Sequence, residues 1–372
     1  MKKVISYAAV DVDDNSYHLS ILNSDTGEIQ TFSCRPTPQH LIKKLRKIVK
    51  NNNELKICYE STYLGFSLCR SLKKAGIFCE VIASSMIPEF KGKRVKTDRL
   101  DSEKLVIFYS QGLLTSVQLP NEEQELIRDL IRTRSYLVSQ AKSLKNHILS
   151  TCRRTGWDYK QECNLKAPKH WTSTHLQWLR SKVSNCESKY LKFNLSQLLK
   201  NLDQLIDQIE YYNLEIERIS ETAEYKKKVN ALKCFKGVKN IIAMTLITEI
   251  GDIHRFSHPS KLTSFSGLDI IEYSSGAKQR RYGISKMGNP FIRTSIVEAC
   301  QLATRPPNIS RRLKSDRQDQ PEEIIKIADK CMKRLYTKGQ RLKHKDKANN
   351  KIKVACGREM LGFIWETLKI VS

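Results

Sequence analysis

VISYAAVDVDDNSYHLSILNSDTGEIQTFS, residues 4–33, contains three apolar or alternating runs, at 4–10, 17–22 and 28–33, separated by DVDDN and NSDTG. Both separators are rich in turn-forming residues, so the runs are expected to pair as an antiparallel three-strand meander. Beyond it the pattern alternates: a helix over 39–50, an apolar strand over 55–59, a helix over 63–75 stopped by Gly76, and a strand over 78–82. A meander followed by strand and helix in alternation points to an α/β layered sheet. Adjacent parallel strands would then bring Asp11, leaving the first strand, and Glu60, leaving the fourth, to one sheet edge.

KGKRVKTDRLDSEK, residues 91–104, follows, with two aspartates three residues apart in a run carrying six Lys/Arg. A helix opening at Thr97 or Asp98 and continuing through Leu105, Val106, Phe108 and Tyr109 sets Asp98 and Asp101 on one face, about 5–6 Å apart at Cβ. Hard divalent cations take carboxylate oxygens, and a two-metal phosphoryl-transfer site needs more acids than one helical pair offers. Asp11 and Glu60 supply them. Taken singly, each acid has a plainer role: Asp11 as a turn residue like Asp13 and Asp14, Glu60 as a cap on the next helix, Asp98 as favourable charge at a helix start. Taken in order, Asp, Glu, Asp, Asp in these slots resembles the RuvC-like branch of the RNase H fold. That resemblance implies that Asp11, Glu60, Asp98 and Asp101 are catalytic and hold Mg2+ or Mn2+.

The chain has 372 residues, 40% of them hydrophobic, enough to bury a core and to form two or three domains. Lys and Arg number 65 against 39 Asp and Glu, a net charge of +26, which favours a phosphate-bearing partner, nucleic acid first. No apolar run reaches membrane-spanning length, and MKKVISYAAV lacks the long apolar segment of a signal peptide; the expected location is the cytoplasm. Eleven cysteines occur without a CxxC pair, and Cys58, Cys69 and Cys79 fall on apolar patterns, so buried free thiols are expected.

From residue 121 the pattern turns helical. Leu126, Leu130, Leu137, Ala141, Leu144 and Ile148 form one stripe, and Leu195, Leu198, Leu202, Leu205, Ile209, Tyr212, Ile216 and Ile219 form another with regular three–four spacing. The second reads as a coiled-coil seam, closed either by a second chain or by an intramolecular hairpin between the two helices. The insert between them, 156–180, carries Trp157, Trp171 and Trp178, which either pack it onto the helices or stack on nucleic-acid bases.

The third region contains LKCFKGVKNIIAMTLITEIGDIHRF, loosely a helix-hairpin-helix whose turn reads GVK. Between Ser274 and Lys314 nine Lys/Arg face one acid, Glu298, and residues 326–353 add eleven Lys/Arg against two Asp. Such one-sided blocks suit contacts to a DNA or RNA backbone. The nucleic-acid-binding candidates are Lys93, Arg94, Lys96, Lys278, Arg280, Arg281, Lys286, Asn289 and Arg293.

With these segments in view, nearly the whole chain resembles the DEDD transposases of bacterial insertion sequences, the group related to the Piv invertases and to bridge-RNA-guided recombinases. The resemblance is carried by the four acids, GKRVKTDRLD, EIGDIHRF, EYSSGAKQRRYGISKMGNPFIR and the terminal Lys351, Ala355, Arg358, Gly362 and Trp365. It implies three domains: a RuvC-like catalytic domain at 1–119, a helical coiled-coil region at 120–228, and a mainly helical transposase domain at 229–372. It further implies a serine nucleophile at Ser275, beside Gly276 and next to Ser274, that forms a covalent link to DNA. A structured guide RNA, donor and target DNA, and homodimers assembling to a tetramer are the implied partners. Two other functions fit part of the sequence. A metal-dependent Holliday-junction-resolvase-like nuclease would use the acids and leave the SSG block idle, whereas an RNA-binding scaffold would use the charge and the heptads alone.

Overall fold

Alternation decides which side of the sheet each strand residue takes. The computed structural model describes residues 5–48, 54–88, 98–275 and 278–372, with the backbone alone at 5, 98–99, 273–275 and 278–281. Lys93, Arg94 and Lys96 lie outside these residues. The chain divides into two compact units, Met1–Pro120 and Asn121–Ser372.

In the first unit β1 (Ile5–Val12), β2 (Tyr17–Asn23), β3 (Ile29–Cys34), α1 (Pro38–Ile48), β4 (Glu54–Glu60), α2 (Ser67–Lys74), β5 (Phe78–Ile82), α3 (Asp98–Ser110) and β6 (Ser116–Val117) follow one another. The sheet order is β3-β2-β1-β4-β5-β6. β1 pairs antiparallel with β2 and parallel with β4, and β4 pairs parallel with β5. One parity of the strands, Ala8, Val10, Val12, Leu19, Ile57, Tyr59 and Val81, packs with Leu41 and Leu45 of α1 and Leu68 and Leu72 of α2. The other, Ala9, Cys58 and Ile82, packs with Leu105, Val106 and Tyr109 of α3. Helices thus cover both faces, as the sequence led one to expect. Two details differ. Asp11 stays inside β1, paired across to His18. And α2 begins at Ser67, because residues 63–66 make a turn in which Gly65 takes φ 55°, a left-handed conformation that a helix interior does not admit.

The second unit is mostly helical: α4 (Glu122–Arg154), α5 (Tyr159–Glu162), α6 (Ser173–Ser184), α7 (Lys189–Ser220), α8 (Lys226–Lys233), α9 (Asn240–Ile250), α10 (Pro259–Phe265), a hairpin of β7 (Ile270–Ser275) and β8 (Lys278–Ile284), then α11 (Pro290–Ala299), α12 (Arg311–Asp316), α13 (Glu322–His344) and α14 (Asn349–Val371). Asn121 caps α4 by accepting from the Gln124 N–H, and three glutamates fill its first turn. α4 and α7 run antiparallel: Ile127 and Ile131 share a cluster with Ile216 and Ile219, while Ile148 and Cys152 share another with Leu195 and Leu199. The seam of α7 is therefore covered within the chain by α4, the hairpin of the two arrangements its spacing allows. Trp157, Trp171 and Trp178 pack half-buried against that pair, so the insert is held to the helices by its aromatic rings. The β7–β8 hairpin was not anticipated in a region read as helical, although IIEYSS and KQRRYGI flank a Ser-Gly turn signal. No helix among the described residues is long and apolar enough to cross a membrane. All the cysteines are free thiols, Cys58, Cys69 and Cys79 buried among them.

Candidate active site

Asp11 and Glu60 share a face because they share a parity. Asp11 is two residues beyond Ala9 and Glu60 two beyond Cys58, and Ala9 pairs with Cys58 under α3. The parallel register, continued one step past Val10–Tyr59, sets the two half-buried acids side by side at the C-terminal ends of β1 and β4.

The direction of α3 brings the other pair to them. Its C-terminal half is anchored where Tyr109 meets the Tyr7 ring edge-on, centroids 5.6 Å apart, and donates its hydroxyl to Glu80 Oε2 at 2.7 Å. Further back, Ser102 and Ser20 share a buried hydroxyl–hydroxyl bond of 2.8 Å, and Ser20 stands opposite Ala9. The helix thus runs antiparallel to β1. From the Tyr7–Tyr109 contact, the four residues to Asp11 and the eight to Asp101 cover about 13 Å and about 12 Å. The first turn of α3, opened by Asp98 and carrying half-buried Asp101, arrives at the sheet edge where Asp11 and Glu60 end. Carboxylate oxygens are the donors that a hard divalent cation takes, and Asp11, Glu60 and Asp101 are the acids of this edge whose side chains are described. Among the described residues no three His, Cys, Asp or Glu side chains are close enough to hold an ion; the Asp98 carboxylate lies outside them.

Two groups near this edge escaped the sequence reading. His18 faces Asp11 across the β1–β2 ladder. Tyr63, 68% exposed in the turn after Glu60, donates its hydroxyl to Asp14 Oδ1 at 2.5 Å, tying the β1–β2 turn to the β4–α2 connection. The bond to Asp14 is the main cause that pushes the Tyr63 phenol up to about 12.

In the second unit Ser275 ends β7, its backbone opposite Lys278, with Ser274 opposite Gln279 and Tyr273 opposite Arg280. The base of this hairpin is fixed closely. Ser285 donates to Asp269 Oδ1 at 2.5 Å, Lys286 takes φ 56°, and a Cβ on Gly288 would lie 2.4 Å from Phe265 O. Arg293 donates to Ser266 O at 2.9 Å and to Lys286 O at 3.3 Å. Asn289 uses both ends of its amide: Oδ1 accepts from the N–H groups of Phe291 and Ile292, and Nδ2 donates to Glu249 Oε2 at 2.7 Å. Lys286 remains exposed. Of the basic-block candidates, Asn289 and Arg293 thus also hold the turn, Arg293 through Nη1 alone.

Glu249 is the unforeseen centre of that arrangement. It is 2% exposed, and Arg132 grips it through two bonds, Nε to Oε1 at 2.8 Å and Nη2 to Oε2 at 2.9 Å, while the guanidinium lies 4.9 Å from the Phe291 ring. The signal was present in the sequence: an acid inside IIAMTLITEI, an otherwise uncharged helix, has to be paired.

A family model described as "Transposase IS116/IS110/IS902 family" matches residues 229–314, and the model DEDD_Tnp_IS110, described as a transposase, matches residues 8–155. A Sinorhizobium fredii protein named as a transposase, y4qE, is 29% identical over 326 residues, 87% of this chain and 77% of that protein. The transposase for insertion sequence element IS1533 of Leptospira borgpetersenii is 28% identical over 352 residues, 93% of this chain and 99% of that protein. The transposase for insertion sequence element IS1111A of Coxiella burnetii is 26% identical over 243 residues, 63% of this chain and 62% of that protein.

Proposed function

We propose that this chain, which carries both regions of the IS110-type insertion-sequence transposases, cuts and rejoins DNA strands through an ester on Ser275, guided by a structured bridge RNA. The observation that supports the reading is the parallel β1–β4 register, which runs out just before Asp11 and Glu60, with α3 running back toward that edge from its Tyr109 anchor. When bound there, Mg2+ or Mn2+ would supply Lewis acidity toward a phosphoryl oxygen.

In the first step the Ser275 Oγ–phosphorus bond forms and the phosphorus–oxygen bond to one strand end breaks. The serine proton passes to a base, and the departing strand oxygen takes up a proton. Rejoining reverses both changes with a different strand end, so the bond energy is conserved and no nucleotide cofactor is consumed. Lys278, Arg280, Arg281 and Lys286 contact backbone phosphates around the serine, and Lys93, Arg94 and Lys96, which precede Asp98 in the sequence, contact phosphates as well. Asn289 and Arg293 act indirectly by holding the turn after β8. Base pairing to the RNA selects the donor and target sites, a division of labour that leaves the protein to read backbone and shape. Homodimers that assemble to a tetramer bring the two DNAs together.

The test uses end-labelled DNA containing the chain's gene with its flanking sequence, the RNA transcribed from those flanks, and denaturing electrophoresis. Wild type is expected to give protein-linked label. Ser275→Ala should give neither adduct nor cleavage, with Ser274→Ala much milder, and Asp98→Asn or Asp101→Asn should lose cleavage while DNA binding persists. Free cleaved ends without adduct in both wild type and Ser275→Ala would assign the chain to water-using nucleases of the resolvase kind.

A further inference from the structure

The insert between α4 and α7 builds a groove that neither the acids nor Ser275 use. It is an open cavity of about 480 Å³, within the roughly 300–1,000 Å³ of small-ligand sites. Val138, Lys142 and Lys145 of α4 share one helix face, and Ile206 and Glu210 of α7 share another. Val138 is 38% and Ile206 40% exposed, so the floor between the two helices is apolar and uncovered. Trp171 of the insert supplies a wall. Its backbone takes φ 65°, a left-handed conformation that a bulky residue rarely adopts and that gathers at binding sites. Its N–H donates to Nδ1 of fully buried His175 at 3.2 Å, and that ring meets the indole edge-on, centroids 5.4 Å apart. Lys145 Nζ lies 5.6 Å from the indole centroid, while the ring also packs on the α4–α7 pair. An ammonium is not buried unpaired in an apolar core, so the part of the ring beneath it is turned to the groove.

We propose that this groove takes one unpaired nucleotide of a single-stranded RNA or DNA segment, its base on Trp171 and the apolar floor, its phosphate on Lys142 and Lys145. Aromatic side chains under the bases and lysines along the backbone are the chemistry by which proteins hold single strands, because every base has an apolar face. In a duplex the bases stack on one another and do not reach such a slot. As the base enters, the Lys145 arm moves from the ring to the phosphate, exchanging a cation–π contact for a charge-assisted bond. Glu210, which accepts from Asn213 Nδ2 at 2.9 Å, puts negative charge on the α7 side and so directs the phosphate to the lysines of α4. The proposal rests on the reading of this chain as a nucleic-acid enzyme and is independent of the roles given to Ser275 and the acids.

The experiment compares the full-length wild type with Trp171→Ala, Trp171→Phe and the double variant Lys142→Ala/Lys145→Ala. Fluorescence anisotropy gives the affinity for oligothymidylate and oligouridylate of about ten nucleotides, and for duplex DNA of matched length, at several salt concentrations. Trp171→Ala is expected to lose about tenfold in single-strand affinity, the size of one stacked base, with duplex affinity within about twofold. Trp171→Phe, which keeps a ring, should recover most of the loss. The lysine variant should bind single strands more weakly and lower the slope of log affinity against log salt by about 0.7 for each phosphate contact removed. A site-specific readout accompanies these: irradiating wild type with the same oligonucleotides carrying a 5-bromopyrimidine should join label to Trp171, mapped by peptide mass spectrometry, and the lysine variant should lower the yield. Cross-linking by the uridylate, the thymidylate or both assigns the occupant to RNA, to DNA or to either strand. Where Trp171→Ala lowers the thermal unfolding midpoint, the lysine variant and the cross-link decide.

Single-strand affinities of Trp171→Ala and the lysine variant within about twofold of wild type overturn the slot, as do cross-links that map only outside α4, α7 and the insert. A change from dimer to monomer in Trp171→Ala by light scattering, with no cross-link at Trp171 in wild type, also overturns it and assigns the groove to a second copy of this chain. Wild type that binds neither single strand nor duplex at low salt defeats the nucleic-acid reading itself, whatever the groove holds.

Discussion

Glu249 and His175 are both buried, and each sets a test of how its surroundings hold it. Replacing Glu249 by Ala would strand the Arg132 guanidinium and the Asn289 amide that now bond to it. The expected cost is about 2–4 kcal/mol, below a fully buried pair because Arg132 keeps part of its side chain in water. Urea unfolding measures it, and a loss under about 0.5 kcal/mol would mean that the network is not holding the turn. His175 is fully buried beside Tyr159, His170, Trp171 and Trp178, its Nδ1 accepting from the Trp171 N–H at 3.2 Å. Burial first, and the nearby His170 second, push its pKa down to about 4. The unfolded chain, with its imidazole near the ordinary value, therefore takes up this proton first as the pH falls. Stability from this site is complete at neutral pH, declines as pH drops below about 6.5, and is lost once pH passes through about 4. The thermal midpoint of wild type should fall between about pH 7 and about pH 5, and His175→Gln should flatten that part of the profile. Identical profiles for the two would remove His175 as the cause.

At the scale of elements, the turn between α8 and α9 depends on one glycine. Gly237 has φ 94°, and a Cβ there would lie 2.0 Å from Ala299 O at the end of α11. Gly237→Ala meets both a left-handed backbone and a clash with main-chain oxygen, which has no rotamer to move. A destabilisation of about 2–4 kcal/mol is expected by urea unfolding, against no measurable change for Gly283→Ala, where a Cβ meets nothing within 4 Å and φ is not left-handed. Equal effects would mean that the tight approach of α8–α9 to α11 is not what fixes that turn. The α3 helix is held by its far end: Tyr109, with Tyr7 and Glu80, anchors the C-terminal half, while Asp98 and Asp101 belong to the first turn.

At the scale of the molecule, the net charge of +26 is the property that most directly sets binding. Local ion pairs leave that net charge unchanged but tie up some of the basic groups. Glu359 takes Arg334 and Lys338, Asp329 takes Arg317, and Asp203 takes Arg180, while the exposed Lys330, Lys333, Arg341, Lys343, Lys345, Lys347 and Lys351 line α13 and the start of α14. If about six phosphates are neutralised, affinity for DNA should fall about a thousandfold between about 50 and 200 mM salt. Anisotropy titrations at several salt concentrations give the slope, and a nearly flat line would assign the charge to another purpose.

The sequence by itself determined the meander, the alternation after it and the order of the four acids, because strand periodicity and turn chemistry are local and survive without any knowledge of partners. It determined the long helices too, through their three–four spacing. It left open what covers the α7 seam, since heptad spacing reads the same whether the covering helix belongs to the same chain or another; only tertiary packing assigned α4. It missed the β7–β8 hairpin within a helix-rich region, the start of α2 displaced by Gly65, and the pairing of Glu249 with Arg132, which are 117 residues apart. It also missed that His18 stands opposite Asp11, because cross-strand register depends on how a turn closes. Pairing, register and the direction in which a helix crosses a sheet are non-local quantities, fixed by burial of one face against another, and these decided which residues stand at the edge where β1 and β4 end.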